Sequence, residues 1–535
     1  MGEAFTEQER RLLEPFFSNM DKPVFVLTNL PEVVKGALFS RYSRTPKSLR
    51  RVLLEEFMLS SELGMKEMLG DAKPAGSIVQ TKKAEEFYDR VLVGYGDDSV
   101  AELAGAHIAI EDISIVATKV LEDARIGLSP LEKSTRYVYF DVKRPDGTWP
   151  YYREKTLMSS EFAELYVETC DLCFQTYADL VPRISQFIME REPQGDVSER
   201  AYKSSVRAKT CDILRGLLPA STLTNMGFFG DGRAFEYLLT RMYGDDLVEM
   251  RELAESMRTE LAKVMPSFVK RANDRYGIAM QGYFRRVREG IGTIAKKYEG
   301  AHGNAEVVLV DYDKDAEKKI IIAALYPHLG RPMKEVAAIV DKMSKEEKEA
   351  VVKSYINERE NRRQKPGRAF EHAYYTFDVC GNFGCYRDLH RHRILTQQRQ
   401  LLGTSLGYSL PKEIIDSSCE KEYKAAMDAA KHAYDMIAKK YRKEAQYLVP
   451  LAYNIRWYMT FNLREAYHML ELRSAMQGHA DYRHIAQEMS RQIAHVHPLL
   501  GGMKFMDMKE YSLERLEAEK KIDRKMAELG EKYAK

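Results

Sequence analysis

The chain has little cysteine, almost no net charge and no long apolar run, and each shortage excludes something. Six cysteines among 535 residues are too few for a disulfide framework. Cys170 and Cys173 form a C-x-x-C, but the pair sits inside a helical pattern and no second pair stands at zinc-binding spacing. Cys211, Cys380, Cys385 and Cys419 read as thiols in or near a core. No stretch reaches the roughly 18 apolar residues that a membrane span needs. The opening Met1-Gly2-Glu3-Ala4-Phe5-Thr6 has neither the basic nor the apolar region of a secretory signal. A cytoplasmic protein with no membrane partner is therefore expected. The formal net charge of +2 argues against nucleic acid as a partner of the whole surface.

What is present is a 44% hydrophobic, 30% charged chain, too long for one ordinary core, so two domains or lobes are expected. Residues 24–30 predict a short strand, and Pro31-Glu32-Val33-Val34 opens a helix with proline at an early position. Helical spacing resumes from Leu49 to Leu69. Val100 to Leu121 reads as an apolar helix and Glu154 to Glu192 as one long helix. Leu217-Leu218-Pro219 ends another helix, and Arg233 to Tyr243 forms one more. Lys296 to Glu306, with Gly300 and Gly303 among charges, reads as a linker.

After it the pattern restarts. Val307 to Asp313 is a strand like residues 24–30, Glu371-His372-Ala373 echoes Glu102-Leu103-Ala104, and Leu448-Val449-Pro450 echoes Leu217-Leu218-Pro219. An internal duplication is the organising expectation. The tail from Ser512 places Leu513, Leu516, Ile522, Met526 and Leu529 on roughly one face, as a docking helix would.

Arg391-His392-Arg393 is the stretch that most needs explaining, because neighbouring arginines repel unless an anion or acidic partner compensates them. A phosphate or an electron-rich ring would do so; so would a buried ion-pair network. His390 and His392 alternate, but no acidic ligands accompany them at helical spacing, so no metal is expected. The basic run Arg359, Arg362, Arg363, Lys365, Arg368 reads as a solvated loop, with phosphate or nucleic-acid contact as the alternative.

Arg391-His392-Arg393 with Glu371-His372 upstream resembles the signature of the flavin-dependent thymidylate synthases. Asn462-Leu463-Arg464, then Leu472-Arg473 and His479, resemble that family's second signature. Where the family continues with Ser-x-Arg, the chain reads Leu401-Leu402-Gly403. The missing element stands in the first half: Ser129-Pro130-Leu131-Glu132-Lys133-Ser134-Thr135-Arg136-Tyr137 resembles it, with Leu131 where the family has Asn. There the Arg-His-Arg slot holds Ala124-Arg125-Ile126, and Leu103 stands where His would follow Glu102. Arg215 matches a family arginine that reaches a nucleotide phosphate, and its second-half equivalent is Gln446.

The resemblance implies a helix-rich α+β fold, a small mostly antiparallel sheet with long helices, present as two copies over residues 1–298 and 299–535. It implies methylation of dUMP at C5, with methylenetetrahydrofolate and NADPH as co-substrates. FAD would lie against Glu371, His372, Arg391, His392, Arg393, Asn462, Arg464 and His479. Glu132, Ser134, Arg136 and Arg215 would hold the nucleotide, whose phosphate suits an arginine fork, and Arg473 would act catalytically on the pyrimidine. A homodimer forming a pseudo-tetramer is expected from the family's organisation. The alternatives are a non-catalytic nucleotide- or RNA-binding scaffold, or a flavoenzyme acting on another pyrimidine nucleotide.

Overall fold

The computed structural model describes residues 4–58, 98–298, 300, 303 and 306–533. The fold is helix-rich α+β with two small sheets. Helix α1 (Glu32–Tyr42) begins directly after Pro31, as expected. A short 3-10 segment (Asp98–Leu103) then leads into β1 (Gly105–Ser114), α2 (Ile115–Glu122) and β2 (Leu128–Glu132). Two long helices, α3 (Ala163–Arg191) and α4 (Glu199–Leu214), precede β3 (Leu223–Asp231) and α5 (Gly232–Tyr243). Helices α6 (Val248–Leu261) and α7 (Arg275–Ala295) close this half.

The same succession follows again. After β4 (Val307–Tyr312) and α8 (Ala316–Leu329), a 3-10 segment (Arg368–His372) leads into β5 (Tyr374–Asn382), α9 (Phe383–Leu389) and β6 (Thr396–Arg399). Helix α10 (Glu420–Ile437) precedes β7 (Asn454–Asn462) and α11 (Leu463–Arg473). Helices α12 (Ala480–Val496) and α13 (Leu516–Tyr533) complete the chain.

Several sequence expectations are corrected. Residues 24–30 form no strand; only Leu27 makes an isolated bridge, to Phe17. Val24 and Val26 are 82% and 64% exposed, and the run pairs briefly with residues 16–18, the Ser18 N–H on the Val26 carbonyl and the Thr28 N–H on that of Phe16, too short a match for a strand. Val100 to Leu121 is a strand followed by a helix. A short apolar run rich in Ile fits either element, and long-range pairing decides. The stretch from Glu154 is interrupted between Met158 and Ala163, where Ser160 makes local turn bonds. Leu49 starts a helix that passes into a wider π turn to Met58; the remainder to Leu69 lies outside the described residues. The last helix docks through its first turns, where Glu519 and Asp523 meet Arg200 of α4, while Ile522, Met526 and Leu529 stay exposed.

Packing groups the residues into two compact units that cut across the two halves. The first takes residues 1–113, 120–133 and 224–299. Its sheet has the order β1-β3-β2, with β2 antiparallel to β3 from Leu128 opposite Gly230 to Glu132 opposite Met226. A separate cluster of Leu13, Phe17, Val34, Leu38, Leu53 and Phe57 buries α1.

The second unit takes residues 114–119, 134–223 and 300–535. Its sheet has the order β4-β5-β7-β6, antiparallel throughout, with β5 and β7 paired from Tyr374 opposite Asn462 to Asn382 opposite Asn454. Trp457, Tyr375, Tyr386, Tyr453 and Tyr467 are fully buried about it. Helix α3 packs here, against α10 and α4.

Within this unit the two Leu-Pro segments pair with each other. The Ala220 N–H donates to the Val449 carbonyl, and the Leu451 N–H to the Leu218 carbonyl, each at 2.9 Å. The Ser221 N–H reaches the Tyr447 carbonyl at 2.7 Å, and the Ala452 N–H reaches that of Gly216 at 2.9 Å. Every bond is thus repeated with the roles of the two segments exchanged. Pro219 and Pro450 face each other across a bridge, where neither is asked for the N–H it lacks.

All six cysteines are free. Burial pushes the Cys173 thiol up to about 12 and the Cys170 thiol well above its ordinary value, so both favour the protonated form. Among the described residues no helix is long and apolar enough to cross a membrane.

Candidate active site

Three helix starts in the second unit are fixed by their own caps, and those caps aim the functional side chains. The Asn382 side chain accepts the Cys385 N–H at 2.8 Å and starts α9, which carries Arg387 and Asp388 and ends at the Arg391-His392-Arg393 run. Asn462 accepts the Glu465 N–H at 2.9 Å and starts α11, which carries Arg464, Glu465, His468 and Arg473. His479 caps α12, accepting the Asp481 N–H at 3.2 Å, and Tyr482 follows in the first turn. From the first half of the chain, α4 contributes Asp212, the turn after it Arg215, and a turn closed by the Arg136 N–H on the Ser134 hydroxyl (3.2 Å) contributes Arg136.

These elements converge on a buried charge cluster. Arg136 grips Asp212 with a two-toothed fork, Nε to Oδ1 and Nη2 to Oδ2, both at 2.6 Å. Its Nη1 donates to the Tyr482 hydroxyl at 2.9 Å. Arg215 donates through Nη1 to Asp388 Oδ2 at 3.1 Å, while its buried Nη2 has no hydrogen-bond partner among the described residues. Arg215 threads past Gly384, where a Cβ would meet its Nε at 3.2 Å. Burial alone would raise the Asp388 carboxyl, but Arg215, Arg136, Arg391 and Arg473 hold it far below the usual carboxylate range. Asp212 is likewise held down to about 2, burial being outweighed by Arg136 first and His479 and Arg215 after it.

Beside this cluster runs a second chain of contacts. Arg473 Nε donates to His392 Nε2 at 2.8 Å, which requires His392 to carry its proton on Nδ1. Nδ1 lies 3.0 Å from Glu465 Oε1 and donates to it. Burial, then Arg473, lowers the His392 pKa well below its ordinary value, so the ring is neutral. Burial also raises Glu465 to about 7 and pulls His468 down to about 4. The ligand atoms of His392, Glu465 and His468 lie within 4.8 Å of one another, a set that could hold a cation by distance. Sequence spacing missed it because Glu465 and His468 come from another helix. Both His392 nitrogens are already engaged, and Arg473, Lys365 and Arg362 add positive charge around the histidines.

The remaining expected residues are placed as follows. Glu371 pairs with Arg464 at 3.1 Å, and Arg464 Nε also donates to the Pro366 carbonyl at 2.8 Å. The first unit repeats that pair as Glu102 with Arg233 at 2.6 Å. Asn462 uses its side-chain oxygen on the cap of α11. His372, Arg391 and Arg393 are exposed. His479 Nε2 donates to the Asp212 carbonyl at 3.2 Å and so backs the Arg136 partner. Glu132 is buried at the end of β2, in the first unit. In the basic run, Arg363, Lys365 and Arg368 are exposed as a solvated loop would be. Arg359 is not: it is buried in a fork on Glu471, at 2.8 and 2.5 Å.

The family model described as "Thymidylate synthase complementing protein" matches two stretches of the chain, residues 51–267 and 308–499. The chain belongs to this family. Among its relatives, a UPF0159 protein of Chlamydia muridarum is 46% identical, over 96% of this chain and 98% of its own length. A UPF0159 protein of Thermoplasma acidophilum is 35% identical, over 91% of this chain and 97% of its own. The flavin-dependent thymidylate synthase of Sulfolobus acidocaldarius is 29% identical over 36% of this chain and 75% of its own length. A solved structure, the UMP/dUMP methylase PolB from Streptomyces cacaoi bound with 5-Br dUMP, shares 19% identity over 37% of this chain and 93% of that one, with a TM-score of 0.29. Helices α7 and α13 fall outside both stretches matched by the thymidylate synthase complementing protein model.

Sequence reasoning missed Asp212, Asp388, Glu465 and Tyr482. A signal for two of them was present: Asp212 and Asp388 each stand three residues before an arginine of the cluster, Arg215 and Arg391. Acid and base at that spacing share one face of a helix.

Proposed function

We propose that the protein is a flavin-dependent enzyme of the thymidylate synthase type, which methylates dUMP at C5 with methylenetetrahydrofolate as carbon donor and NADPH as reductant. The observation that carries this reading is that arginines of both halves meet in one buried cluster: Arg215 of the first half pairs with Asp388 of the second, and Arg136 of the first and Arg473 of the second both pack on the Tyr482 ring. Each half of the chain keeps the part of the signature that the other lacks, which favours a composite site from two copies, residues 1–298 and 299–535. A homodimer working in the cytoplasm belongs to the same proposal.

The residues present suit an anionic dinucleotide. Arg391 and Arg393 lie exposed side by side, with His372 also exposed and the Glu371–Arg464 pair buttressing the same half. Bound FAD would supply the electrons that turn the transferred one-carbon unit into a methyl group. Arg473, held by His392 and through it by Glu465, would donate to the pyrimidine and stabilise negative charge on its ring. Arg215 offers a buried donor at Nη2 to the nucleotide phosphate, with Ser134 as a further contact. His392 is sealed between Glu465 and Arg473, so its part is to orient Arg473 and not to touch the flavin.

One observation favours a second reading. The Arg136 fork is spent on Asp212, as suits a scaffold that keeps the fold and binds a nucleotide or RNA without chemistry, or an enzyme for another pyrimidine nucleotide.

The visible absorbance of the purified chain separates the readings. A flavin spectrum is expected, with tritium release from C5-labelled dUMP; a protein that takes up no flavin when supplemented sinks the enzyme reading. Arg391→Ala is expected to weaken flavin retention at least about tenfold, the loss of a charge-assisted contact, with nucleotide binding kept. Equal flavin occupancy in mutant and wild type would remove Arg391 from the cofactor site.

A further inference from the structure

Helix α7 of the first unit carries an apolar stripe on its exposed side. Tyr276, Met280 and Tyr283 recur eleven residues later as Val287, Ile291 and Ile294, and the six are 39–66% exposed. An eleven-residue repeat averages about 3.7 residues per turn against about 3.6 for a straight helix, so the six fall within about 80° of one another along one side. The repeat runs on in sequence to Tyr298, which is 81% exposed in the 3-10 turn that continues the helix. A left-handed helix pair would ask for a seven-residue repeat instead.

The charges near the stripe are nearly all of one sign. Residues 275–298 contain Arg275, Arg285, Arg286, Arg288, Lys296 and Lys297 against Glu289 alone. Arg288 turns to the body of the unit, where it meets the Gly244 carbonyl and Asp246. Asp274, just before the helix, is used as its N-cap. Arg275 and Arg286, again eleven residues apart, border the stripe on one side; on the other, Gly277 and Gln281 are buried against the unit. Arg285, Arg286, Lys296 and Lys297 make no ion pair among the described residues.

These charges select what can cover the stripe. Two copies of α7 meeting antiparallel about a two-fold axis would bring the Arg275–Arg286 edge of one against the same edge of the other, and like charges repel. The exposed stripe of α13, Ile522, Met526 and Leu529, is bordered by Lys521 and Lys525 on one side, and on the other by Glu519 and Asp523, which are tied to Arg200. It offers α7 no acid that is not already paired. A surface that is apolar within and anionic at its rim matches both features, since the apolar side chains enter it while arginine and lysine stems reach its headgroups.

We propose that α7 is an interfacial helix that docks the protein on an anionic lipid bilayer, lying in the plane of the headgroups. From Tyr276 to Ile294 the stripe is about 27 Å long at about 1.5 Å per residue, and tyrosines suit the boundary between water and acyl chains. The surface belongs to the first unit and takes no part in the nucleotide chemistry proposed for the second.

The test is flotation of the full chain with vesicles of phosphatidylcholine alone or of equal parts phosphatidylcholine and phosphatidylglycerol, with sedimentation velocity on the lipid-free protein. Binding is expected to be at least about tenfold tighter to the anionic vesicles and to weaken with salt. Ile291→Glu and, separately, Arg286→Glu are each expected to weaken it about tenfold or more, and Arg286→Lys to retain it. Both positions are exposed, so thermal unfolding of the variants is expected to match wild type. A wild type that does not float with anionic vesicles, or floats equally with phosphatidylcholine alone, overturns the proposal. So does a folded Ile291→Glu that floats as well as wild type. A lower mass of the lipid-free Ile291→Glu protein would show instead that the stripe joins two copies of the chain, and overturns it too.

Discussion

Arg136→Ala is expected to cost about 3–5 kcal/mol of folding stability, because it leaves Asp212 charged, buried and without its fork. Urea unfolding at pH 7 would read this as a lower midpoint with similar slope. A loss under about 1 kcal/mol, the scale of a surface pair, would show that the Arg136–Asp212 contact is solvated. The pH dependence follows from the same pair. The folded Asp212 carboxyl is held at about 2, below its unfolded value of about 3.9. Its contribution is therefore present above pH ~4 and is lost as the pH falls through the folded value. Asp388, held lower still, acts in the same direction. Asp212→Asn is accordingly expected to be less stable than wild type at pH 7 and to lose less between pH ~4 and ~2.

Arg473→Ala is expected to lower turnover about 10²–10³-fold, the usual effect of removing one aimed donor from a developing negative charge. Tritium release from C5-labelled dUMP measures it, with flavin absorbance as the control for an intact cofactor site. Arg473→Lys keeps the charge but cannot donate to His392 in the same plane, so it should restore only part of the rate. A turnover within about threefold of wild type for Arg473→Ala would remove this residue from the chemistry.

The recurring order of elements was legible because its markers, Glu102 and Glu371 before a strand and the two Leu-Pro segments, depend on neighbours in sequence. Where the outcome depended on distant pairing, sequence reasoning failed. Within Val100 to Leu121, Gly105–Ser114 became a strand because β3 lies beside it, whereas residues 24–30 pair in a single bridge, Leu27 with Phe17. The candidate site divides in the same way. Arg391 was visible as a costly residue in a cationic run, and Arg136, Arg215 and Arg473 through the family resemblance, but the carboxylate partners were not, since Asp212 meets Arg136 across 76 positions and Glu465 meets His392 across 73. Arg359 shows the same limit from the other side: a run of basic residues hid one member that leaves the surface for Glu471.

The exchanged bonds between the Pro219 and Pro450 segments have a consequence for how such a chain can change. When two identical subunits meet about a two-fold axis, a surface must complement itself, and each substitution strikes both sides at once. An arginine gained beside the axis is gained twice, and so is its repulsion. Joining the partners into one chain lifts that constraint, because each side then mutates alone. On the proposed origin of the two halves as joined copies, Arg215 and Gln446, four residues before each proline, are one such broken pair, and the Pro219–Pro450 contact is what remains of that self-complementarity.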